Sequence, residues 1–265
     1  MATCVAVENT LLRDRLEIAD DLDAILPPES GRVQAAMRYA VLGTGQRLRP
    51  MLALRVARVL GNVEYSTRTA GAAIELLHCA SLIVDDLPCM DNDRMRRNRP
   101  ALHVEFGEAT AVLAGFALVA LAARLAAGFP AFQIKLLNTL DCTQLIQGQS
   151  LDLELTGSSR KLQRPLITDL KTVPLFSLSI EAGLLSSKAS LDDQDALSSF
   201  GHGLGAAYQI LDDYIDGEIA DAAVVGQQFS RARCCLKVFG SRAYPLEELL
   251  DYLNGKIFEK NSRNR

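Results

Sequence analysis

The sequence predicts an all-α protein built as one domain, and three observations support this fold class. Segments rich in Ala and Leu, with apolar residues at helical spacing, follow one another from residue 11 to residue 258. No segment shows the alternation of apolar and polar residues that is typical of strands. No Gly/Ser-rich linker or change in composition divides the chain, so we expect one domain over residues 1–265.

The predicted helices are separated by turn residues and prolines. Their expected ranges are 11–25, 32–42, 51–60, 69–84, 109–127, 134–147, 166–185, 192–215 and 246–258. The prolines that fall between them are Pro27, Pro28, Pro50, Pro88, Pro100, Pro130, Pro165 and Pro245. Pro174 is the exception, and we expect it to kink or split segment 166–185 just after Thr172.

The composition limits the partners and the compartment. The net charge of −4 gives no sign of the basic face that nucleic-acid binding requires. No CxxC pair and no zinc-like His spacing is present, which indicates reduced thiols in a cytosol-like compartment. The cysteines are Cys4, Cys79, Cys89, Cys142, Cys234 and Cys235.

The N-terminal and apolar segments predict a cytoplasmic protein without a transmembrane segment. Residues 1–20 contain no apolar signal-peptide core, although a removed organellar transit peptide would leave no trace. The longest apolar run, residues 111–123, is shorter than the roughly 20 residues that span a bilayer. We therefore expect a buried core helix at this run.

A first acidic motif follows the apolar helical segment that begins near residue 69. Its acids are Asp85, Asp86, Asp91 and Asp93, and the bases Arg94, Arg96, Arg97 and Arg99 come directly after them. Pro88 ends the helix, so the loop can bring Asp91 back towards Asp85 and Asp86. Mg²⁺, which prefers a few carboxylates together with substrate phosphates, suits such a group. A solvated acidic loop is the alternative interpretation.

A second acidic motif lies within the predicted helix 192–215 and continues just beyond it. Gln209, Asp212, Asp213 and Asp216 have the spacing i, i+3, i+4 and i+7, which places them on one helical stripe. Like charges at this spacing cost about 0.2–0.5 kcal/mol per pair on an isolated helix. Two acidic helix ends facing one cavity would form a site for several metal ions. Two independent solvated faces are the alternative.

Further motifs make the sequence resemble the trans-isoprenyl diphosphate synthases, in particular the short-chain branch that makes farnesyl and geranylgeranyl diphosphate. The motifs are GTGQRLRP at 43–50, ELLHCASLIVDDLPCMDNDRMRRNRP at 75–100, FGEATAVLAG at 106–115, GQSLDLE at 148–154, Lys171-Thr172 and YQILDDYID at 208–216. The resemblance covers roughly residues 10–217. It implies a single-domain helical bundle around a central cavity, as a homodimer.

The resemblance also implies roles for individual residues. Roughly three Mg²⁺ ions would be bound around an allylic diphosphate. Their ligands would be Asp85, Asp91 and Asp212, supported by Asp86, Asp213 and Asp216. The allylic diphosphate would be bound by Arg96, Lys171, Thr172 and Gln209. Isopentenyl diphosphate would be bound by Arg49, His78 and Arg97, together with Gln46.

The implied reaction is ionisation of the allylic C–O bond, attack on the carbocation by the double bond of isopentenyl diphosphate, and loss of a proton. In this family the residue five positions before the first Asp forms the floor of the product channel. Here it is Ala80, about 7.5 Å below the carboxylate along the helix, with Ser81 beside it. A small floor favours geranylgeranyl diphosphate over farnesyl diphosphate.

The sequence departs from the family pattern at several positions. Gln46 replaces a lysine at the isopentenyl site, Val84 replaces a histidine, and Phe116 replaces an Asp expected beside the cavity. After residue 217 the chain is short and divergent, without the usual lysines in residues 217–228. These departures suggest, as an alternative, a weakly active or non-catalytic subunit that pairs with an active synthase. A terpene cyclase is a third interpretation, but it would carry Asn, Ser and Glu where this chain has Asp212, Asp213 and Asp216.

Overall fold

The computed structural model describes the backbone of residues 2–219 and 221–263, and side-chain environments for residues 8–219 and 221–257. Within these residues the chain is helical, as predicted. The longer helices are α1 Ala2–Ile25, α2 Arg32–Leu42, α3 Leu48–Val59, α4 Tyr65–Asp85, α6 Glu108–Ala126, α7 Pro130–Leu140, α8 Leu145–Glu154, α9 Gly157–Lys171, α10 Val173–Leu184, α11 Leu191–Asp216, α12 Ala222–Cys234 and α13 Tyr244–Arg263. The short elements are α5 Leu102–Phe106, a 3₁₀ helix Lys237–Ala243, and strands β1 Met95–Arg96 and β2 Arg99–Pro100.

Helix α4 lies at the centre of the bundle. It packs against α3, α6 and α10, and nearly all of it from Thr67 to Ala80 is buried. Small residues let neighbouring backbones approach closely, since a Cβ at Gly71 would lie 3.3 Å from the Cα of Pro50 in α3. The two ends of α4 approach the surface, and Tyr65 at its start is exposed. The central helix therefore delivers Asp85 from the core to the edge of the bundle.

The break at Pro174 is confirmed, whereas the single helix expected over residues 134–147 is wrong. Helix α9 ends at Lys171, and α10 begins at Val173 with Pro174 in its first turn. Between α7 and α8, the backbone N–H of Thr143 donates to Oδ1 of Asp141 at 2.7 Å. This side-chain turn replaces helical hydrogen bonding and separates the two helices.

Pro165 was expected between helices, but it lies inside α9. A proline in a helix interior leaves the carbonyl four residues earlier without its helical partner. Pro165 and Lys161 are both exposed, so that carbonyl can be hydrated. The sequence pattern also missed α12. Its start is marked only by Asp221, whose Oδ1 accepts from the backbone N–H of Ala223 at 2.8 Å.

A buried ion-pair network, centred on Arg55 in α3, ties both ends of the chain to the core. Nε of Arg55 donates to Asp14 of α1 at 2.9 Å, and Nη1 donates to Glu248 of α13 at 3.0 Å. Arg58 also pairs with Asp14 at 2.7 Å. The Arg55 side chain is fully buried, so these charges compensate one another away from water. The network fixes α1 and α13 against α3.

Helix α6 contains the apolar run that was expected to form a core helix. It is long and apolar enough to cross a membrane by length and composition, and 39% of its most apolar stretch is buried within the described fold. Core helices meet the same criterion. Its buried side packs against α4, while Val112, Leu113 and Phe116 are exposed. The expectation of a buried core helix is therefore correct for the side of α6 that packs on α4 and wrong for its exposed side.

Candidate active site

A cavity of about 370 Å³ lies at the C-terminal end of α4, between α3, α8, α10 and α11. We call it the inner cavity. Its lining includes Gln46, Arg47, Arg49, Glu75, His78, Ser81, Asp85, Arg96, Arg97, Gln149, Lys171, Thr172, Tyr208, Gln209 and Asp212. A second depression, the acidic cleft, is lined by Asp85, Asp91, Asp93, Arg96, Asp152, Arg160, Arg164, Lys171, Asp212, Asp213, Asp216 and Glu218, among others. Both include Asp85, Lys171 and Asp212, so they form one continuous site.

The first acidic motif is closed by a backbone hydrogen bond. Helix α4 ends at Asp85, and the N–H of Asp91 donates to the carbonyl of Asp85 at 2.9 Å. The loop thus returns Asp91 towards the helix end, as the sequence predicted. Burial raises the pKa of the Asp85 carboxyl to about 6, although Lys171 opposes this shift. The Asp85 carboxylate is therefore costly to keep charged without a nearby cation.

Asp86, the next residue, pairs with Arg96. Nε of Arg96 donates to Oδ1 of Asp86 at 2.9 Å, and the same guanidinium donates to Asp93 at 3.2 Å. Burial raises the pKa of Asp86 even though Arg96 opposes the shift. Asp86 therefore holds Arg96 at the junction of the inner cavity and the acidic cleft.

The second acidic motif lies on α11 and faces the same space. The hydroxyl of Thr172 donates to Oε1 of Gln209 at 2.6 Å, and Nε2 of Gln209 donates to Asp213 at 3.0 Å. Burial raises the pKa of Asp212 to about 7, and Lys256 is the strongest charged group that opposes the shift. Asp216 is exposed at the mouth of the acidic cleft.

Lys171, at the end of α9, lies beside the first motif and lines both the inner cavity and the acidic cleft. Its Nζ donates to Asp152 at 3.1 Å and lies 3.8 Å from Asp85. Burial alone would raise the pKa of Asp152, but Lys171 and Arg160 together lower it. Asp152 therefore stays ionised and fixes the Lys171 ammonium beside Asp85.

His78 and Arg49 both line the inner cavity and contact each other. Nη1 of Arg49 lies 3.0 Å from Nε2 of His78. Because Arg49 can only donate, this ring nitrogen is the acceptor and the imidazole is neutral. Burial, reinforced by Arg49, lowers the pKa of His78 well below its usual value, in agreement with that tautomer. His78 thus orients Arg49 rather than adding a charge.

Arg97 reaches the cavity over the loop between α2 and α3. A Cβ at Gly45 would lie 2.5 Å from Nη1 of Arg97, so the guanidinium of Arg97 lies directly against the Gly45 backbone. Arg47 is oriented separately, by a buried pairing with Glu75 at 2.8 Å. Arg49 and Arg97 both line the inner cavity.

The carboxylates of both motifs suit Mg²⁺, which prefers oxygen ligands. Among the described residues, no three His, Cys, Asp or Glu side chains converge closely enough to hold a metal ion by themselves. Mg²⁺ is usually held by one or two carboxylates and completed by substrate phosphates and water. Two buried polar groups that line the inner cavity also lack a hydrogen-bond partner in the described part of the chain, Nε of Arg49 and the Gln149 amide.

Ala80 and Phe116, two of the positions that the sequence analysis singled out, lie away from the main cluster. Ala80 is buried in the core and does not line the inner cavity, whereas Ser81 does. Phe116 was expected to stand beside the cavity, and this is wrong. Its side chain is 72% exposed on the outer face of α6, because residue 116 lies opposite the side of α6 that packs on α4.

Sequence reasoning missed several charged groups of the site. Arg164 of α9 donates to Asp213 at 3.0 Å and also pairs with Glu218. Arg160 pairs with Asp152 at 2.7 Å. The spacing of Arg160, Arg164 and Lys171 along one helix is the signal that could have indicated a basic face. Lys256 on α13, which contacts Gln46 at 2.5 Å, left no local signal.

The fold and the site together define a helical enzyme that handles anionic groups between two aspartate motifs and a set of cations. The sequence model of the polyprenyl synthetase family matches residues 30–231. A crystal structure of a geranyltransferase from Legionella pneumophila has a TM-score of 0.86 and 29% identity, covering 96% of this chain and 99% of that one.

Relatives of known sequence agree with this class. Geranylgeranyl diphosphate synthase of Pantoea ananas is 36% identical over 261 residues, which cover 92% of this chain and 86% of that protein. Geranylgeranyl pyrophosphate synthase 10 of Arabidopsis thaliana is 35% identical over 70% of this chain, which spans 58% of that longer protein. The chain belongs to the polyprenyl synthetase family and is a trans-prenyltransferase of the geranylgeranyl and farnesyl diphosphate synthase type.

Proposed function

We propose that the chain condenses isopentenyl diphosphate with an allylic diphosphate and that its main product is geranylgeranyl diphosphate, with farnesyl diphosphate the next candidate. The observation that carries the proposal is that Asp85 and Asp212, from the two acidic motifs, line one continuous site at the end of an apolar core helix. Charged diphosphates fit the polar end of this site, and a prenyl tail fits its apolar side.

The residues divide into two binding groups. Lys171 and Arg96, fixed by Asp152 and Asp86, face the acidic cleft and bind the allylic diphosphate. Arg49, Arg97 and Gln46 line the inner cavity and bind isopentenyl diphosphate, with His78 orienting Arg49. Thr172 and Gln209 hold the second motif in register by their hydrogen bonds.

Mg²⁺ is the metal we propose, roughly three ions per site, held by Asp85, Asp91 and Asp212 with support from Asp86, Asp213 and Asp216. When bound, Mg²⁺ stabilises the negative charge that develops on a departing diphosphate. Asp86 and Asp213 are paired with Arg96 and Arg164. We therefore propose that Asp86 and Asp213 hold these arginines beside the metal site and do not ligate the metal directly.

A product assay with labelled isopentenyl diphosphate, Mg²⁺ and allylic primers of increasing length tests the function. Chain elongation that needs both Mg²⁺ and an allylic primer is the expected result. A protein that binds both diphosphates but makes no product alone, and that raises the turnover of an added synthase, would instead support the non-catalytic subunit.

Replacing Ala80 with tyrosine is expected to shorten the product from C20 to C15 or less. The phenol would add volume to the buried face of α4 next to Ser81, which lines the inner cavity, and would thereby narrow the space for the growing tail. Because Ala80 is buried and a tyrosine could destabilise the fold, Ser81→Phe is a second test, since Ser81 already lines the inner cavity. The product is read by chromatography. If both folded variants still make the wild-type product, α4 does not set chain length.

We further propose a homodimer formed through the exposed apolar face of α6. Val112 and Phe116 are one helical turn apart, and with Leu113 they expose a patch that the fold itself leaves uncovered. Phe116→Glu is expected to give a monomer in light scattering, because it would bury two charges at a symmetric interface. Leu162→Glu, on exposed α9, is the control and should leave the dimer intact. A Phe116→Glu dimer would contradict this interface.

A further inference from the structure

At the proposed isopentenyl site, the sequence lacks one cation of the family pattern. The fold, however, brings another cation close to the same position. Gln46 stands where the resembling family carries lysine, and an amide cannot neutralise a diphosphate. Gln46 nevertheless lines the inner cavity. The lysine nearest to it comes from the other end of the chain, 210 residues later: Nζ of Lys256 donates to Oε1 of Gln46 at 2.5 Å.

The packing of α13 against the core determines where Lys256 lies. Leu249, Leu253 and Ile257 on the same face of α13 are buried in the core. Lys256 lies three residues after Leu253 and directly before Ile257, at the edge of this packed face, and its ammonium contacts Gln46, which lines the inner cavity. The ammonium lies 5.2 Å from the centre of the Tyr252 ring, which restricts its direction.

The position of α13 is itself fixed by the buried network at Arg55. Glu248, two turns before Lys256, pairs with Arg55 of α3, and α3 also carries Arg49. The helix that holds Arg49, the proposed anion-binding arginine, and the helix that holds Lys256 are therefore joined as one unit. The Lys256 ammonium is also the strongest charged influence on Asp212, which places it within electrostatic reach of the reaction site.

We infer that Lys256 supplies, from α13, the cation that position 46 lacks, and that Lys256 and Gln46 together bind the diphosphate of isopentenyl diphosphate. This inference rests on the proposed function. Gln46 orients the ammonium by accepting a hydrogen bond from Nζ of Lys256, which holds the positive charge beside a residue that lines the inner cavity. The lysine-poor segment 217–228 is thereby compensated by a cation close to the end of the chain.

Calorimetric titration of the full chain with isopentenyl diphosphate tests the inference without depending on turnover. Lys256→Met keeps the apolar stem and removes the charge, and it is expected to weaken binding about tenfold or more. Adding Gln46→Lys to that variant returns the charge to the same place and should restore most of the affinity. Lys256→Arg should stay near wild type, and Lys188→Met, an exposed lysine outside the cavity, should change nothing.

Two further measurements separate this role from a structural one. The thermal midpoint of Lys256→Met should equal that of the wild type, and its KM for the allylic primer should change far less than its KM for isopentenyl diphosphate. Wild-type affinity for isopentenyl diphosphate in Lys256→Met, or equal weakening of the binding of both diphosphates, overturns the inference. If the wild type still catalyses condensation, the proposed function stands. Tight, Lys256-dependent binding without condensation contradicts the proposed function instead.

Discussion

Replacing Asp85 with alanine is expected to lower turnover by at least about 100- to 1,000-fold, the range for losing one charge-stabilising group in an active site. Asp85 ends the core helix, and it lines both the inner cavity and the acidic cleft. Its loss removes a metal ligand of the proposed site and leaves Lys171 facing only Asp152. The measurement is kcat with saturating diphosphates and Mg²⁺.

The same change should not unfold the protein. Burial raises the pKa of Asp85 to about 6, which means that its charge is unfavourable in the folded state without a cation. Asp251→Ala is the matched control, because that exposed carboxylate pairs only with the surface residue Arg233 among the described residues. Near-wild-type turnover in a folded Asp85→Ala protein would remove the metal site from the proposal.

Replacing Arg55 with methionine is expected to lower the free energy of unfolding by about 3–5 kcal/mol. Arg55 is fully buried and faces both Asp14 and Glu248, so its loss leaves Glu248 buried without its cation. Asp14 keeps Arg58, which limits the damage on that side. Denaturant unfolding followed by circular dichroism measures the change.

An exposed pair provides the comparison for Arg55. Arg233→Met breaks the pairing with Asp251 on the surface and should cost less than about 1 kcal/mol, because water already screens both charges. If Arg55→Met is no more destabilising than Arg233→Met, the buried network does not hold α1 and α13. Lys256 would then need another anchor.

Much of the fold could be predicted because helices are local. Spacing of apolar residues gave nine segments, and Pro174 gave the break between α9 and α10. The predictions failed at positions where a local turn or a proline disagreed with the apolar pattern of the segment. The turn at Asp141 ended a helix inside an apolar segment, and Pro165 was tolerated because its neighbourhood is exposed. Neither outcome changes the apolar periodicity that the prediction used.

The candidate site could be predicted in part because its motifs are short and each lies on one element. Asp85 and Asp91 are brought together by a six-residue return of the chain, and Asp212 and Asp213 share one helix end. Which other helices meet them was not predictable. Phe116 was assigned to the cavity from its place in a motif, but the packing of α6 on α4 turns it outwards.

The sequence by itself determined the all-α class, the two acidic stripes and the cations adjacent to them, because spacing along a helix decides which side chains share a face. Only the tertiary structure decided which faces meet. Arg164 lies 49 residues from Asp213, and Lys256 lies 210 residues from Gln46. Contacts of that range depend on how whole helices pack, and no local pattern of residues encodes them.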